Sequence, residues 1–169
     1  CSKLTPLDNS APEEEEDEVE RLFPTSRQRF CFGAENKLVT IRTTSFGCGK
    51  MGHQIWPSSI ALSLYLQSRG KDSDQQRQAV LELGAGCGLP SLVCRDVLPW
   101  VESVIATDFW SLSEEPFDKD RLVPQPWHGI NLEYNVQQHL PRARVERLDW
   151  HSPSQFASIK EADLVIGSD

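Results

Sequence analysis

The sequence lacks any long apolar run. No stretch approaches the roughly 18 apolar residues that mark a membrane helix, and the mean hydropathy is −0.43. The first residues show no basic segment followed by an apolar one, so no signal peptide is indicated. A chain of 169 residues is long enough to form one domain with its own core. These features exclude a membrane helix, and we expect no membrane partner.

Paired cysteine and histidine spacings are also missing. The five cysteines contain no CxxC pair, and the four histidines show no HxxxH or HExxH spacing. A disulfide scaffold and a zinc ribbon are therefore disfavoured; we expect no metal site and place each histidine on the surface or in a loop. Unpaired thiols favour a reducing compartment. We expect a cytoplasmic location, with a nuclear one left open.

An excess of basic residues is absent. The chain has 17 basic and 25 acidic residues, and residues 1–20 alone hold eight acids against one base. The remainder is almost neutral and lacks the basic surface that binds phosphate backbones, so we expect no nucleic-acid partner. The run from Glu13 to Glu18 is typical of a solvated tail.

Three segments follow from these patterns. We expect residues 1–27 to be an acidic, disordered lead-in. Residues 28–78 are predicted to hold a β segment and a helix that begins at Pro57. In residues 79–169 strands alternate with helices, which predicts an α/β fold with a parallel sheet. Residues 111–128 are polar and proline-bearing and predict a loop. The predicted strands are Ala79–Leu83, Ser103–Thr107, Val145–Leu148 and Ala162–Ile166, and the predicted helices are Leu89–Val97, Ile130–Leu140 and Ser154–Ile159.

A glycine-rich turn follows the first of these strands. Gly84, Gly86 and Gly88 stand between strand and helix, where glycine allows a tight turn and a close approach of backbone N–H groups to a ligand. A dinucleotide-binding fingerprint requires glycine at position 89, and this sequence has Leu89. Glu82 also departs from the usual phosphate-binding turn. The pattern therefore counts against a nicotinamide cofactor.

Asp108 ends the second of these strands, 24 residues after Gly84. A carboxylate at this distance can accept hydrogen bonds from both ribose hydroxyls, as the acid about 20 residues after a Rossmann glycine turn does. An ordinary strand-end aspartate that caps a turn is the alternative. The glycine turn upstream favours the ribose interpretation.

With their flanking motifs, these residues resemble the seven-strand S-adenosylmethionine-dependent methyltransferases, and among them the lysine-methyltransferase-like family. The resemblance covers about residues 30–169. The glycine turn indicates only the superfamily, whereas the tryptophan segment and the Asp149-Trp150 pair make the family assignment more specific. The segments that carry it are Ile55-Trp56-Pro57, LELGAGCGL at 81–89, Thr107-Asp108, NLEYN at 131–135, Leu148-Asp149-Trp150 and ADLVIGSD at 162–169.

The resemblance implies a Rossmann-like, doubly wound, mostly parallel sheet that binds S-adenosyl-L-methionine. It implies that Gly84, Gly86 and Gly88 line the methionine part of the cofactor. Glu82 would support the turn and the cofactor's amino group through hydrogen bonds. Trp56 would close over the cofactor from the N-terminal side, a core tryptophan being the alternative.

The resemblance also assigns residues to the nucleoside. Asp108 would hold the ribose, and Phe109 or Trp110 would lie against the adenine unless they only pack. Asp149 would accept a hydrogen bond from the adenine amino group, and the backbone at Trp150 would reach a ring nitrogen. Asn131 and Asn135 are expected to be structural.

The methyl acceptor is harder to read from the sequence. The resemblance implies a protein substrate, modified on lysine, and a monomer at full length. It places Asp169 at the start of an Asp-x-x-Tyr motif beside the acceptor pocket, but no catalytic residue can be named. A histidine-directed or small-molecule methyltransferase and a catalytically silent cofactor- or partner-binding module stay open as alternatives.

The chain ends directly after the fourth predicted strand of the sheet. We therefore expect an N-terminal part of a longer product, with the C-terminal strands missing and with Leu164, Val165 and Ile166 facing water or another chain. An isolated chain of this kind is expected to be poorly soluble and inactive.

Overall fold

The computed structural model describes residues 21, 24–33, 35–44, 54–69, 77–110, 126–137, 143–152, 154–155, 159 and 162–168. The strands are β1 (Thr25–Phe32), β2 (Lys37–Thr44), β3 (Gln78–Leu83), β4 (Val101–Asp108), β5 (Ala143–Arg147) and β6 (Leu164–Gly167). The helices are α1 (Pro57–Arg69), α2 (Leu89–Val97) and α3 (Pro126–Gln137).

The main sheet has four parallel strands in the order β5-β4-β3-β6. The chain moves outward from β3 to β4 and β5, and then returns to the other side of β3 with β6. Open α/β sheets bind ligands beyond the carboxyl ends of their strands, at such a reversal of strand order. The predicted α/β fold with a parallel, Rossmann-like sheet is confirmed, and the glycine turn lies at the reversal.

One face of this sheet packs against the helices. Val80, Val104 and Ile166 form a core with Leu66 of α1 and Cys94 of α2, while Ala106 packs with Leu132 and Val136 of α3. Val80 is the register partner of Val104, and Glu82 that of Ala106 and Ile166, so these side chains share one face. Along β3 this face therefore carries Val80 and Glu82.

A separate antiparallel hairpin, β1–β2, covers the start of α2. Its Phe32, Val39 and Ile41 are buried in a cluster with residues of α2 such as Leu92 and Val93. β1 begins at Thr25, three residues before the predicted boundary at residue 28. The division into three segments stays a prediction.

A buried polar network fastens the hairpin to α3. Arg42 of β2 is only 1% exposed. Its backbone N–H donates to Asn135 Oδ1 at 2.8 Å, and its Nε donates to Asn131 Oδ1 at 2.8 Å. Asn135 Nδ2 donates to Arg42 O at 2.9 Å, and the Arg42 guanidinium carbon lies 3.5 Å from the ring centre of Tyr134. Both asparagines therefore hold elements together, as expected.

The four predicted strands of the parallel sheet agree with the structure to within two residues at each end. α2 has the predicted bounds. α3 is the exception, because it begins at Pro126 and not at Ile130. The loop predicted over residues 111–128 is therefore wrong for its last three residues: Pro126 supplies a fixed φ angle suited to the first helical position. Leu140 and most of the helix predicted at Ser154–Ile159 lie outside the described residues.

The exposure of β6 differs from expectation. Val165 is 54% exposed, but Ile166 is 7% exposed and Leu164 is half-buried. The expectation that all three apolar side chains face water is therefore wrong, because alternate residues of a strand point to opposite faces and Ile166 points to the helix-covered face. Among the described helices, none has the length and apolar character needed to cross a membrane.

We predict that Asn135→Ala lowers the free energy of unfolding by about 1–3 kcal/mol, because it removes the hydrogen bonds that the amide makes to buried backbone groups of Arg42 and Cys87. Urea unfolding would measure this. Glu133→Ala, on the exposed side of α3, is the control and should change the value by less than about 0.5 kcal/mol. Equal effects of the two substitutions would contradict a special role for the network.

Candidate functional site

The turn after β3 depends on three glycines in the left-handed region. The φ angles are +66° at Gly84, +56° at Gly86 and +83° at Gly88, values that residues with a side chain rarely adopt. Gly88 N–H donates to Ala85 O at 2.7 Å, and Gly88 O accepts from Leu92 N–H at 3.0 Å to begin α2. The sequence thus forms a sharp turn that aims the start of a helix at the end of the sheet.

One face of α3 supports this turn from behind. A Cβ atom at Gly88 would lie 2.9 Å from Val136 Cγ2 and 3.0 Å from Leu132 Cδ1. One residue earlier in the turn, Cys87 O accepts a hydrogen bond from Asn135 Nδ2 at 3.0 Å. The backbone of the turn is therefore fixed by both packing and hydrogen bonds.

Glu82 lies beneath the turn, between β3 and α2, and is 0% exposed. Its Oε2 accepts a hydrogen bond from Ser91 Oγ, whereas its Oε1 has no partner among the described residues. Burial raises the pKa of the carboxyl to about 8, against the opposing hydrogen bonds from Ser91. The site thus contains a mostly protonated carboxyl with one unsatisfied oxygen, close to the glycines.

Asp108, at the end of β4, behaves in the opposite way. Its Oδ2 accepts from Gly86 N–H at 2.6 Å, and its Oδ1 accepts from Phe109 N–H at 2.7 Å. Burial by itself would raise the pKa of this carboxyl, but His128 and the two N–H donors lower it below its usual value. Asp108 is therefore an ionised acceptor joined directly to the glycine turn.

His128 is the site residue that the sequence analysis missed. It is 1% exposed on α3, and its Nε2 lies 3.2 Å from Asp108 Oδ2. The expectation of a surface or loop histidine is wrong here, because α3 begins at Pro126 and carries His128 into the core. The spacing His128, Leu132, Asn135, Val136 is a helical-face pattern, and Pro126 is the start signal that could have revealed it.

The two aromatic candidates after Asp108 differ in their surroundings. The guanidinium carbon of Arg147 lies 4.9 Å from the ring centre of Phe109. The Trp110 ring packs against α3 so closely that a Cβ atom at Gly129 would meet it at 2.5 Å. Of the two rings, that of Trp110 is thus engaged in packing with the helix.

Asp149 and Trp150 lie at the same edge, just after β5. Asp149 Oδ1 accepts from His151 N–H at 2.9 Å, and Gln155 Oε1 accepts from Asp149 N–H at 2.8 Å, so this segment is a turn held by its own side chains. The Trp150 ring is near Gly84, since a Cβ atom there would lie 3.7 Å from Trp150 Cζ2. Trp150 is 61% exposed and partly covers the turn.

Trp56 stands apart from these residues. Its carbonyl accepts from Ser59 Oγ at 2.7 Å and from Ser59 N–H at 3.1 Å at the start of α1, and its side chain is 52% exposed. No hydrogen bond or ring contact within the described part of the chain joins Trp56 to the glycine turn. Asp169, the candidate beside the acceptor pocket, lies outside the described residues.

Comparison with known proteins gives this arrangement a family. The sequence profile of a lysine methyltransferase family matches residues 35–169, which include the glycine turn, Asp108, α3 and the Asp149-Trp150 turn. The chain belongs to this lysine methyltransferase family.

Curated proteins that are similar to this chain are named as protein methyltransferases. The chain is 33% identical over 121 residues to the protein N-terminal and lysine N-methyltransferase EFM7 of Yarrowia lipolytica, covering 70% of this chain and 38% of that protein. It is 47% identical over 99 residues to EFM7 of Cryptococcus neoformans, covering 57% and 26%. It is 29% identical over 130 residues to the mouse protein-lysine methyltransferase METTL21E, covering 68% and 45%. The chain thus spans less than half the length of these relatives.

Alanine substitutions at two glycines of this lysine methyltransferase family member distinguish the cost of backbone strain from the cost of a steric clash. Gly84→Ala and Gly88→Ala each place a side chain in a left-handed conformation, which costs about 1–2 kcal/mol. Only the alanine at position 88 also meets Leu132 and Val136. We predict that Gly88→Ala destabilises the protein clearly more than Gly84→Ala in chemical unfolding. Equal losses would show that α3 does not confine the turn.

The buried Glu82 predicts a pH dependence of stability. Its pKa is 4.5 in the unfolded chain and about 8 in the folded protein, so between these values only the folded state keeps the proton. The free energy of unfolding should therefore fall as pH rises from 4.5 to 8, by at most about 1.4 kcal/mol per pH unit.

Glu82→Gln should remove this part of the pH dependence, because the amide does not titrate. Urea unfolding of both proteins between pH 5 and 8 would measure it, with Glu102→Gln at an exposed position of β4 as the control. A constant difference between wild type and Glu82→Gln across this range would refute the buried, protonated state.

Proposed function

We propose that the protein is an S-adenosylmethionine-dependent methyltransferase that methylates lysine side chains of proteins. The observation that carries the proposal is the joint placement of Glu82, the glycine turn and Asp108 at the reversal of the sheet. Membership of the lysine methyltransferase family supports the acceptor class. The protein is proposed to act as a monomer at full length.

The residues present fit S-adenosylmethionine. The Oε1 of Glu82, which has no partner among the described residues, suits a cationic amino group, which would favour ionisation of this carboxyl. Gly84 and Gly86 carry no Cβ atom, so a ligand can approach the backbone of the turn closely; the N–H groups of Ala85, Gly86 and Gly88 are themselves already bonded within the protein. Ionised Asp108 suits ribose hydroxyls: about four acceptor positions exist on a carboxylate, and the contacts with Gly86, Phe109 and His128 occupy three of them.

The adenine would lie farther along the same edge. We assign the stacking role to Phe109 and not to Trp110, because the Trp110 ring is packed against α3. Asp149 is proposed to accept from the adenine amino group, with the backbone of Trp150 next to it, and the Trp150 ring would shield the methionine end. Trp56 is retained as the residue that closes over the cofactor.

Bound S-adenosylmethionine supplies a methyl group on a sulfonium, which is already an activated leaving group. The protein's part is therefore to orient this group in line with the acceptor amine and to exclude water. Glu82 and Asp108 fix the two ends of the ligand for this purpose. A lysine amine must also lose its proton before it can attack.

Two other functions are distinguishable. Three relatives from fungi are named as N-terminal as well as lysine methyltransferases, so an α-amine is a second proposed acceptor.

A nicotinamide dehydrogenase is disfavoured, because Leu89 replaces the third glycine and is buried against the hairpin. Within the described part of the chain, Cys31, Cys87 and Cys94 form no disulfide, which supports the proposed cytoplasmic location.

The decisive test combines binding with product analysis. For the full-length protein we predict micromolar binding of S-adenosylhomocysteine and no binding of NAD in isothermal titration calorimetry. With methyl-labelled S-adenosylmethionine and a protein extract as acceptor, label should appear on lysine ε-amines by mass spectrometry. Asp108→Ala should lose both, since each charge-assisted hydrogen bond removed is worth roughly 1.5–3 kcal/mol.

Control variants and contrary outcomes are clear. Glu102→Ala, at an exposed position of β4, should bind like wild type. Label found only on histidine or on small molecules would replace the lysine proposal, and label on N-terminal amines would select the second acceptor. Wild-type affinity of Asp108→Ala would refute the ribose role.

A further inference from the structure

We infer that His128 is a positioning residue for the proposed ribose-binding carboxylate: its Nε2–H donates to Asp108 Oδ2 and so presents the free acceptor position of Oδ1 to the ribose hydroxyls. The inference rests on the proposed function, because it assumes that Asp108 meets a ribose. It assigns a specificity role to a residue of α3, an element outside the glycine turn itself.

The geometry of the pair supports this assignment. His128 Nε2 and Asp108 Oδ2 are 3.2 Å apart, and the side chains are 1% and 18% exposed. The same Oδ2 accepts the Gly86 N–H, while Oδ1 accepts the Phe109 N–H as its one donor among the described residues. Donors therefore crowd one carboxylate oxygen, and the oxygen with spare capacity is the other one.

His128 is held where it can do this by its own helix. Leu132 and Val136 pack under Gly88, and Asn135 donates to Cys87 O. These residues lie four, seven and eight positions after His128, on the same face of α3. These three contacts fix the position and rotation of α3 relative to the turn. The imidazole of His128 is therefore held in place next to Asp108.

The contact also bears on the charge state and orientation of Asp108. Burial opposes ionisation of this carboxyl, and His128 is one of the groups that overcome it. Without the imidazole donor, the partly buried carboxylate would keep one backbone donor on each oxygen, but its ionised form would lose one of the groups that stabilise it and its Oδ2 would be held less firmly. Loss of His128 should therefore weaken the recognition of hydroxyl groups, and not the binding of the amino-acid end of the ligand.

The test is a comparison of ligands that differ only in the ribose. Dissociation constants would be measured by calorimetry for S-adenosylhomocysteine and for its 2′-deoxy and 3′-deoxy analogues. The proteins are wild type, His128→Phe, His128→Gln and Asp108→Asn. The glutamine amide can restore a donor near the position of Nε2, whereas phenylalanine fills the space without one.

The expected result is a loss of discrimination. Wild type should bind S-adenosylhomocysteine at least about tenfold more tightly than the weaker deoxy analogue, the value of one charge-assisted hydrogen bond. His128→Phe should lose most of this ratio, and His128→Gln should keep most of it. Equal weakening of all three ligands by His128→Phe would show a merely structural role and overturn the inference.

The Asp108→Asn variant distinguishes the ribose role of Asp108 from the positioning role of His128. If this variant keeps the full discrimination, the ribose role of Asp108 in the proposed function is wrong. If it loses the discrimination while His128→Phe keeps it, only the inference about His128 fails.

A measurement on wild type covers the case in which His128→Phe does not fold. Long-range proton–nitrogen NMR of the imidazole reports which ring nitrogen carries a proton. We expect a protonated Nε2 at neutral pH, with its signal changed in Asp108→Asn. An unprotonated Nε2 would overturn the inference, since such a nitrogen cannot donate to a carboxylate.

Discussion

The side-chain amide of Asn135 is the interaction on which the rest of the arrangement depends. It accepts from the backbone of Arg42 and donates to the backbone oxygens of Arg42 and Cys87. One buried group therefore joins the hairpin, α3 and the glycine turn. A buried amide is costly unless its donors and acceptors are satisfied, so this three-way contact permits only one placement of the three elements. The conformation of the turn is in this sense a tertiary property, and not a local one.

This constraint explains why α3 matters to a site built at the ends of β3 and β4. The helix contributes apolar contacts beneath Gly88, a hydrogen bond to Cys87 and an imidazole to Asp108. Each contact by itself is modest, but together they remove the freedom of a turn that glycine would otherwise leave flexible. A preorganised turn loses less conformational entropy when a ligand binds. The rigid support would therefore be part of the proposed binding site even where it touches no ligand.

Local patterns in the sequence predicted the parallel sheet, the bounds of α2 and the positions of Glu82, Gly84 and Asp108 at one edge. These features depend on short-range rules: apolar runs, glycine punctuation and strand ends. The burial of Arg42 and His128 was not predicted, since a charged residue in an alternating strand and a histidine in a polar stretch are usually exposed. Their burial follows from partners about 90 and 20 residues away in the chain, and a single sequence contains no direct signal for such pairs. The roles assigned to individual cofactor residues stay predictions.

The two acidic side chains of the site show how one environment can produce opposite charge states. Among the described residues, no group of opposite charge faces Glu82 to offset its burial, so its pKa rises to about 8. Asp108 is partly buried, but two backbone N–H groups and an imidazole face it, and its pKa falls. Pairs of carboxyls driven apart in this way often divide the work of a site between them. Here the ionised Asp108 suits neutral hydroxyls, which only donate to it, whereas Glu82 can respond to a cation by releasing its proton. A ligand with an amino group at one end and a ribose at the other would satisfy both at once, which a dinucleotide, with its anionic pyrophosphate next to Glu82, would not.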